Sequence, residues 1–499
     1  MLMESSFFKG RNLLVHLQQT IAEHAQNHAF CIADRYYSYQ QLLQEVGNVR
    51  FAMRNREEEN IGLVVNDDLY TYASILALWM ENKSYVPLHP LWPIRRCEDI
   101  VGQVGLKTII DSRKGGTSLA SAEVLHPETF TSHHDSFFDP VCYEEDKLAY
   151  ILFTSGSTGR PKGVAITIGN VVAFEDSFFS LGIELTQEDR CLQMFDLTFD
   201  MSVGSYVAPL LCGACVYTVA PGSIKWQEVF RLIDDYQITE AQLVPSVIHY
   251  LRPYFDEIDA PAMRYVLFAG EGLPAEDVRL WQKCVPNARI WNVYGPTENT
   301  VYSTFYLIPH DNIREVNGIV CVGKDMKHVE TLVIDDAGTP LTHGEKGELC
   351  LSGRQLSPGY WRNTEKNNEA FFTLNGCRWY RTGDICSVDA SGEIMYYGRK
   401  DSQVQIQGYR VELSEVEHVA RHYFDDAPNT VALPVDDGNG NTAIALVIEA
   451  ERQCSDDVLM AHLRQYLPAY MLPSRISYIN PFPLNASNKI DRKRIKEMI

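Results

Sequence analysis

The stretch AYILFTSGSTGRPKGVAI, residues 149–166, decides the fold. Tyr150, Ile151, Leu152 and Phe153 are consecutive strand formers without a charge, the pattern of a strand buried on both faces. They run straight into Thr154, Ser155, Gly156, Ser157, Thr158, Gly159, Arg160, Pro161, Lys162 and Gly163. Hydroxyls, backbone amides and a lysine are donors for phosphate oxygens, and a glycine-rich turn after a strand is a common place to hold them. The spacing is neither that of a Walker A loop, GxxxxGK[ST], nor GxGxxG, so a P-loop ATPase and a dinucleotide fold are not supported.

Working outward from this strand, helical and strand patterns alternate over the first 400 residues. LLVHLQQTIAEHA is helical, NIGLVV a strand, LYTYASILALWMEN a helix and SYVPL a strand. Further on, ITEAQLV, MRYVLFAG and ARIWNVYG are strand runs that each end in a turn. Such alternation predicts an α/β fold with parallel sheets covered on both faces. Ligands of such sheets lie beyond the carboxyl ends of the strands. The loops at 154–163, 269–274 and 294–299 all follow strands, so they are expected on one rim, forming one site. From about 320 the pattern shifts to short strands with Gly turns, a β-rich subdomain reaching about residue 400. A compact α+β pattern then occupies residues 401–499. The expected organisation is a large domain, 1–400, and a small one, 401–499.

Composition narrows the function. The 499 residues carry a formal charge of −21, which argues against broad nucleic-acid binding, since that needs clustered Lys and Arg. The 12 cysteines show no CxxC pairs or zinc-like spacing and read as buried thiols of a cytoplasmic protein. The N-terminus has no signal-peptide pattern. The uncharged run 201–224 is broken by Pro209, Pro221 and three glycines, and reads as a buried helix, a stop at Gly213 and a buried strand rather than a membrane span.

The loop FTSGSTGRPKGV resembles the signature of the adenylate-forming enzymes: acyl-CoA synthetases, luciferases and the amino-acid adenylation domains of nonribosomal peptide synthesis. Seven further stretches resemble that family's motifs in the same order: SYVPLHPLWP (84–93), FDMSVGSYVAPLLCGA (199–214), NVYGPTE (292–298), GELCLSGRQLSPGYWRN (347–363), YRTGD (380–384), GRKDSQVQIQGYRVELSEVE (398–417) and NASNKIDRK (485–493). Within the family they are most similar to the amino-acid-activating branch, and the stand-alone D-alanine–carrier protein ligases are a close fit.

The resemblance implies attack of a substrate carboxylate on the α-phosphorus of ATP, with Mg²⁺ as cofactor. A carboxylate is ionised at neutral pH and needs no general base, so positioning and charge neutralisation are what remain for the protein to supply. By the same resemblance Thr154, Ser155, Gly156, Ser157, Thr158 and Gly159 cradle the β- and γ-phosphates, with Lys162 nearby. Glu298 is the expected Mg²⁺ ligand and Thr297 an α-phosphate contact. Tyr294 offers a ring for adenine, Asn292 a partner for its amino group, and Gly270, Glu271, Gly272 and Gly295 line the nucleotide. Asp384 takes the ribose hydroxyls, with Arg399 beside the ribose or phosphates. Asp401 is the implied hinge. Lys489 bridges carboxylate and α-phosphate, and Gly408 lines the thiol passage.

Asp200 stands where amino-acid-activating members keep an aspartate for the substrate ammonium; a helix N-cap is the competing role for an Asp there. The positions corresponding to the pocket are Met201, Gly204, Gln242, Leu267, Ala269, Val293, Val301 and Tyr302, uncharged and mostly apolar, so a neutral side chain is expected. Gly204 removes bulk from the floor, and Tyr302 restores some. Four positions depart from the family pattern: Gln405 and Gln407 replace basic residues, His89 an Asp, and Asn488 a Gly. DSFFSLGIEL (176–185) resembles a carrier-protein motif but lacks its serine and reads as helix and loop. The expected acceptor is therefore a phosphopantetheinylated carrier protein in trans, or CoA. Two other readings stay open on these residues: an acyl- or aryl-CoA ligase, and a relative that binds nucleotide with weak catalysis.

Overall fold

In a computed structural model, residues 7–8, 12–113, 115, 119, 121–131, 136–141, 143–156, 160–220, 222–401, 403–424, 428–438, 440–451, 455–485 and 490–499 are described. Two compact units emerge. The larger comprises residues 1–90, 104–152 and 163–400; the smaller comprises 91–103, 153–162 and 401–499.

The larger unit holds two big sheets. One has nine strands. Its six central members, His28–Ile32, Cys215–Thr218, Arg190–Gln193, Glu240–Leu243, Tyr265–Phe268 and Arg289–Tyr294, pair in parallel. Antiparallel strands flank them, Arg35–Ser38 at one edge and, at the other, Thr304–Leu307 followed by Lys324–Asp325. The second sheet has seven strands, with Leu148–Thr154 neighbouring Ser84–Leu88 and Lys162–Thr167. The α/β class expected from the alternating pattern is the class observed.

The short apolar strands follow from double-sided burial. Glu240–Leu243, Tyr265–Phe268 and Cys215–Thr218 are buried at every residue. The helix Leu69–Met80 is likewise buried all round except at Tyr70. It belongs to a core that also contains the helix Met201–Leu211 and residues of both sheets. There Tyr72 stacks on Phe30 of the nine-stranded sheet at 4.5 Å and meets Tyr206 edge-on at 5.3 Å. The uncharged run beginning at residue 201 is that helix, then Gly213 at φ +74, then the strand Cys215–Thr218. Among the described residues no helix is long and apolar enough to cross a membrane.

A five-stranded antiparallel sheet built from Val329–Ile334, Gly347–Gly353, Phe371–Leu374, Cys377–Val388 and Ile394–Arg399 completes the larger unit. Its pairing sets Asp384 directly across from Arg399, beside a bulge at Ile385/Cys386.

In the smaller unit the hairpin Gln403–Ile406/Tyr409–Glu412 turns through Gln407 (φ +51) and Gly408 (φ +82). Two successive left-handed residues match the right-handed twist of a two-residue hairpin, and this conformation favours glycine at 408. The helix Leu413–Arg421 follows, and a three-stranded sheet, Thr430–Asp436, Thr442–Ile448 and Arg475–Tyr478, carries the unit's apolar core. Asp401, the first residue of the 401–499 segment, is exposed and accepts a hydrogen bond from the Gln403 amide.

Candidate active site

The parallel strands of the larger unit end at one rim, where several of the expected residues collect. Arg289–Tyr294 delivers Asn292 and Tyr294, and the chain then crosses itself closely at Gly295. A Cβ at 295 would lie 2.4 Å from the Val301 carbonyl oxygen and 2.7 Å from Tyr302 Cα. Glycine is required there because backbone, not a movable side chain, occupies the space.

The loop so pinned carries Thr297 and the fully buried Glu298. The Tyr360 hydroxyl donates to Glu298 Oε1 at 2.6 Å, and the Ser357 amide donates to the Glu298 carbonyl at 3.0 Å. Thr300 and Val301 both lie in the left-handed region, at φ +56 and +65. This is strained backbone for β-branched residues, costing roughly 1–3 kcal/mol each. Gln355 holds it: its Nε2 donates to the Tyr302 carbonyl at 2.6 Å and to the Thr300 carbonyl at 3.2 Å, while Thr300 Oγ1 donates to the Gln355 carbonyl at 2.7 Å. Neither Tyr360 nor Gln355 stands out in the sequence, although both lie inside the stretch GELCLSGRQLSPGYWRN.

That strain aims the Val301 amide at Asp200. The amide donates to Asp200 Oδ2 at 3.2 Å, and Thr297 supplies a further side-chain hydrogen bond. Asp200 occupies the N-cap position of the helix Met201–Leu211, but its carboxylate makes no capping hydrogen bond. It is 5% exposed, and burial, with Glu298 adding like charge, pushes its pKa up to about 6. Among the described residues no Lys or Arg forms an ion pair with it. It is a buried acid, still ionised at neutral pH and held by hydrogen bonds rather than by a cation of those residues.

Asp384 is joined to the same rim. Tyr294 donates its hydroxyl to Asp384 Oδ2 at 2.6 Å, and Arg399 Nη1 donates to Oδ1 at 3.0 Å. Burial and the Asp384 carboxylate raise the Tyr294 phenol well above its ordinary pKa, so it stays a donor. The Asn292 amide nitrogen donates to the carbonyls of Cys321 (2.9 Å) and Val320 (3.3 Å), which leaves its oxygen as the acceptor. Gly270 has φ +86, a conformation that suits glycine, and a Cβ there would come within 3.2 Å of Met201 Cε. Glu271 accepts the Ser246 amide at 2.8 Å, at the start of the helix Pro245–Leu251, and Gly272 is exposed.

The pocket positions lie on neighbouring elements: Gly204 on the helix after Asp200, Gln242, Leu267 and Val293 on adjacent strands, Ala269 just past one of them, and Val301 and Tyr302 on the pinned loop. The Tyr302 hydroxyl donates to Gln242 Oε1 at 2.8 Å. The room left by Gly204 is occupied, because a Cβ there would meet Phe174 Cζ at 3.1 Å and Gln242 Oε1 at 3.2 Å.

The opening loop falls within the smaller unit. Ser155 Oγ donates to the Arg410 carbonyl (3.0 Å) and accepts from the Glu412 amide (2.9 Å). The Gly156 amide donates to Glu415 Oε2 at 3.2 Å, and Glu415 pairs with Arg96 at 2.7 Å, both side chains buried. Thr154 Oγ1 is 3.5 Å from the Lys162 carbonyl. Gly156 needs to be glycine, since a Cβ would lie 2.0 Å from the Arg160 carbonyl oxygen. Ser157, Thr158, Gly159 and Lys489 lie outside the described residues.

The strand-end rim of this α/β unit thus carries a buried acid, a Tyr–Asp–Arg group and a loop with a buried carboxylate. The sequence profile of the family "AMP-binding enzyme" matches residues 17–361. The chain belongs to that family, in the amino-acid-activating branch of the adenylate-forming superfamily. It is 28% identical over 500 residues to tyrocidine synthase 2 of Brevibacillus parabrevis, matching 98% of this chain but spanning only 14% of that protein. It is also 30% identical over 440 residues to the D-alanine–D-alanyl carrier protein ligase of Lactiplantibacillus plantarum, covering 85% of each. The crystal structure of the Vibrio cholerae adenylation domain AlmE in complex with glycyl-adenosine-5'-phosphate superposes with a TM-score of 0.88 over 97% of both chains, at 24% identity, and so shares the fold.

Proposed function

We propose that the chain activates a neutral amino acid with ATP, forming aminoacyl-AMP and pyrophosphate, and then passes the aminoacyl group to the phosphopantetheine thiol of a carrier protein. The observation that carries this reading is Asp200. It is a buried carboxylate at the strand-end rim with amide and hydroxyl donors but, among the described residues, no cation, and an α-ammonium group supplies one.

In the first step a carboxylate oxygen of the amino acid attacks the α-phosphorus. The bond to the β-bridging oxygen breaks and pyrophosphate leaves. Asn292 Oδ1 accepts from the adenine amino group, the Tyr294 ring lies against the base, and Asp384 accepts from the ribose diol with Arg399 steadying it. Glu298 suits Mg²⁺: it is an oxygen donor, fully buried and oriented by Tyr360, and such a cation takes one or two carboxylates plus substrate phosphates. Mg²⁺, when bound, would neutralise phosphate charge. Thr154, Ser157, Thr158, Gly159 and Lys162 take the phosphate roles implied by their motif, and Lys489 the bridging role, whereas Ser155 Oγ and the Gly156 amide would first have to leave Arg410, Glu412 and Glu415. In the second step the thiolate attacks the acyl carbonyl and AMP leaves. The D-alanyl carrier protein ligase, similar along 85% of its length, supports a carrier protein as acceptor and makes D-alanine a named candidate.

Pyrophosphate exchange with amino acids, set against the same acids without their amine, tests the reading. Exchange only with amine-bearing acids is expected. Equal exchange with the amine-free acids refutes the role of Asp200.

A further inference from the structure

The region beyond Asp200 is closed at short range. The Tyr302 hydroxyl donates to Gln242 Oε1 at 2.8 Å, and the Tyr302 ring meets Phe174 edge-on, with centroids 5.7 Å apart at 69°. Phe174 Cζ and Gln242 Oε1 would lie 3.1 and 3.2 Å from a Cβ on Gly204, closer than ordinary van der Waals contact. Leu267 and Gln242 are 0% exposed, Tyr302 1%, and Ala269 and Val293 2%. A gap able to admit a water molecule beside these residues would expose them more.

We propose that this pocket, taken as the substrate pocket of the amino-acid reading above, accepts only side chains of hydrogen or methyl size: glycine and alanine.

To seat an isobutyl or benzyl group the protein must part Tyr302 from Gln242. That leaves a hydroxyl and an amide oxygen without partners in a dry interior, and the space must be forced open as well. Phe174 cannot yield easily, being fully buried on the helix Ile168–Ser180. Tyr302 is tied through its carbonyl to Gln355. Met201, partly exposed and unbranched, is the liner able to shift by about a methyl group. Beneath Gln242, one pleat further along the same strand, Glu240 is fully buried, and burial pushes its carboxyl up to about 8. A lysine or arginine side chain could pair with that carboxyl only after parting Tyr302 from Gln242, which stands above it on the strand.

The test is pyrophosphate exchange on the full chain with glycine, D- and L-alanine, valine, leucine, phenylalanine and lysine, plus acetate and propionate. Glycine or an alanine should exceed every larger amino acid by at least about 100-fold in kcat/KM, the discrimination reached by a pocket that must be forced open. Tyr302→Ala should raise the leucine-to-glycine ratio at least tenfold. Tyr302→Phe, which keeps the ring but drops the hydrogen bond, should raise it less. Leucine or phenylalanine within tenfold of glycine in the wild type overturns the size limit while leaving the amino-acid reading standing. Acetate and propionate matching glycine and alanine overturn the amino-acid reading and this inference with it. Should Tyr302→Ala fail to fold, the wild-type panel and Tyr302→Phe still decide.

Discussion

Replacing Asp200 with Asn should move stability and activity in opposite directions. An unfolded Asp releases its proton near 3.8, whereas the buried Asp200 releases it near 6. Between those values the folded chain keeps a proton that the unfolded chain has lost, so stability falls as pH rises through the window and is flat above it. The gap of about two pH units corresponds to roughly 3 kcal/mol spent on holding the carboxylate ionised at pH 7.5. Asn is neutral and isosteric, and its oxygen can still accept the Val301 amide. Asp200→Asn should therefore stabilise the larger unit by up to about 3 kcal/mol at pH 7.5, by about half that at pH 5, and by little near pH 3.5. Urea unfolding followed by tryptophan fluorescence reads this well, since six of the seven tryptophans lie in that unit. In the same variant, exchange with the preferred amino acid should fall by about two to three powers of ten, because the substrate ammonium loses its buried partner. A variant that is less stable than the wild type at pH 7.5, or equally active, refutes the assignment of Asp200 as an acid held ready for a cation.

Glu240→Gln should show a similar linkage in a different window. Its carboxyl rises from 4.5 to about 8, so the gain over wild type should grow from pH 4.5 to pH 8, to a ceiling of about 5 kcal/mol; a gain equal at pH 5 and pH 8.5 in urea midpoints would contradict it. Tyr360→Phe removes the donor to the buried Glu298 carboxylate. It should cost about 1–3 kcal/mol of stability and raise the KM for MgATP while leaving that for the amino acid unchanged; an unchanged KM for MgATP counts against Glu298 as the metal ligand. Lys489→Ala should lower the exchange rate by about 10²- to 10³-fold while calorimetry still detects ATP binding; an intact rate assigns the bridge between carboxylate and phosphate to another residue.

Much of the candidate site is legible along the chain because its residues stand in distinctive short motifs, most of them at or just past strand ends. Asp200, Glu298, Tyr294 and Asp384 all stand in such motifs, and the short apolar strands that carry the loops announce a doubly covered parallel sheet. Residues that act by orienting others are harder to see. Gln355 lies 53 positions from Tyr302, whose carbonyl it holds, and Tyr360 lies 62 from Glu298. Phe174 sits in an ordinary helical stretch, FEDSFF, with nothing to distinguish it from any core aromatic.

Residue types and their local spacing thus determined the class of fold, the loop chemistry and the identity of the charged groups, since strand periodicity and turn composition act over a few residues. Which of those groups face one another, how far burial lifts Asp200 and Glu240, and how little space remains above Gly204 were decided by tertiary structure alone. These depend on distances and desolvation between segments remote in sequence: a glycine in the chain reads as added room, and only the packing of Phe174, Gln242 and Tyr302 around it shows that the room is filled.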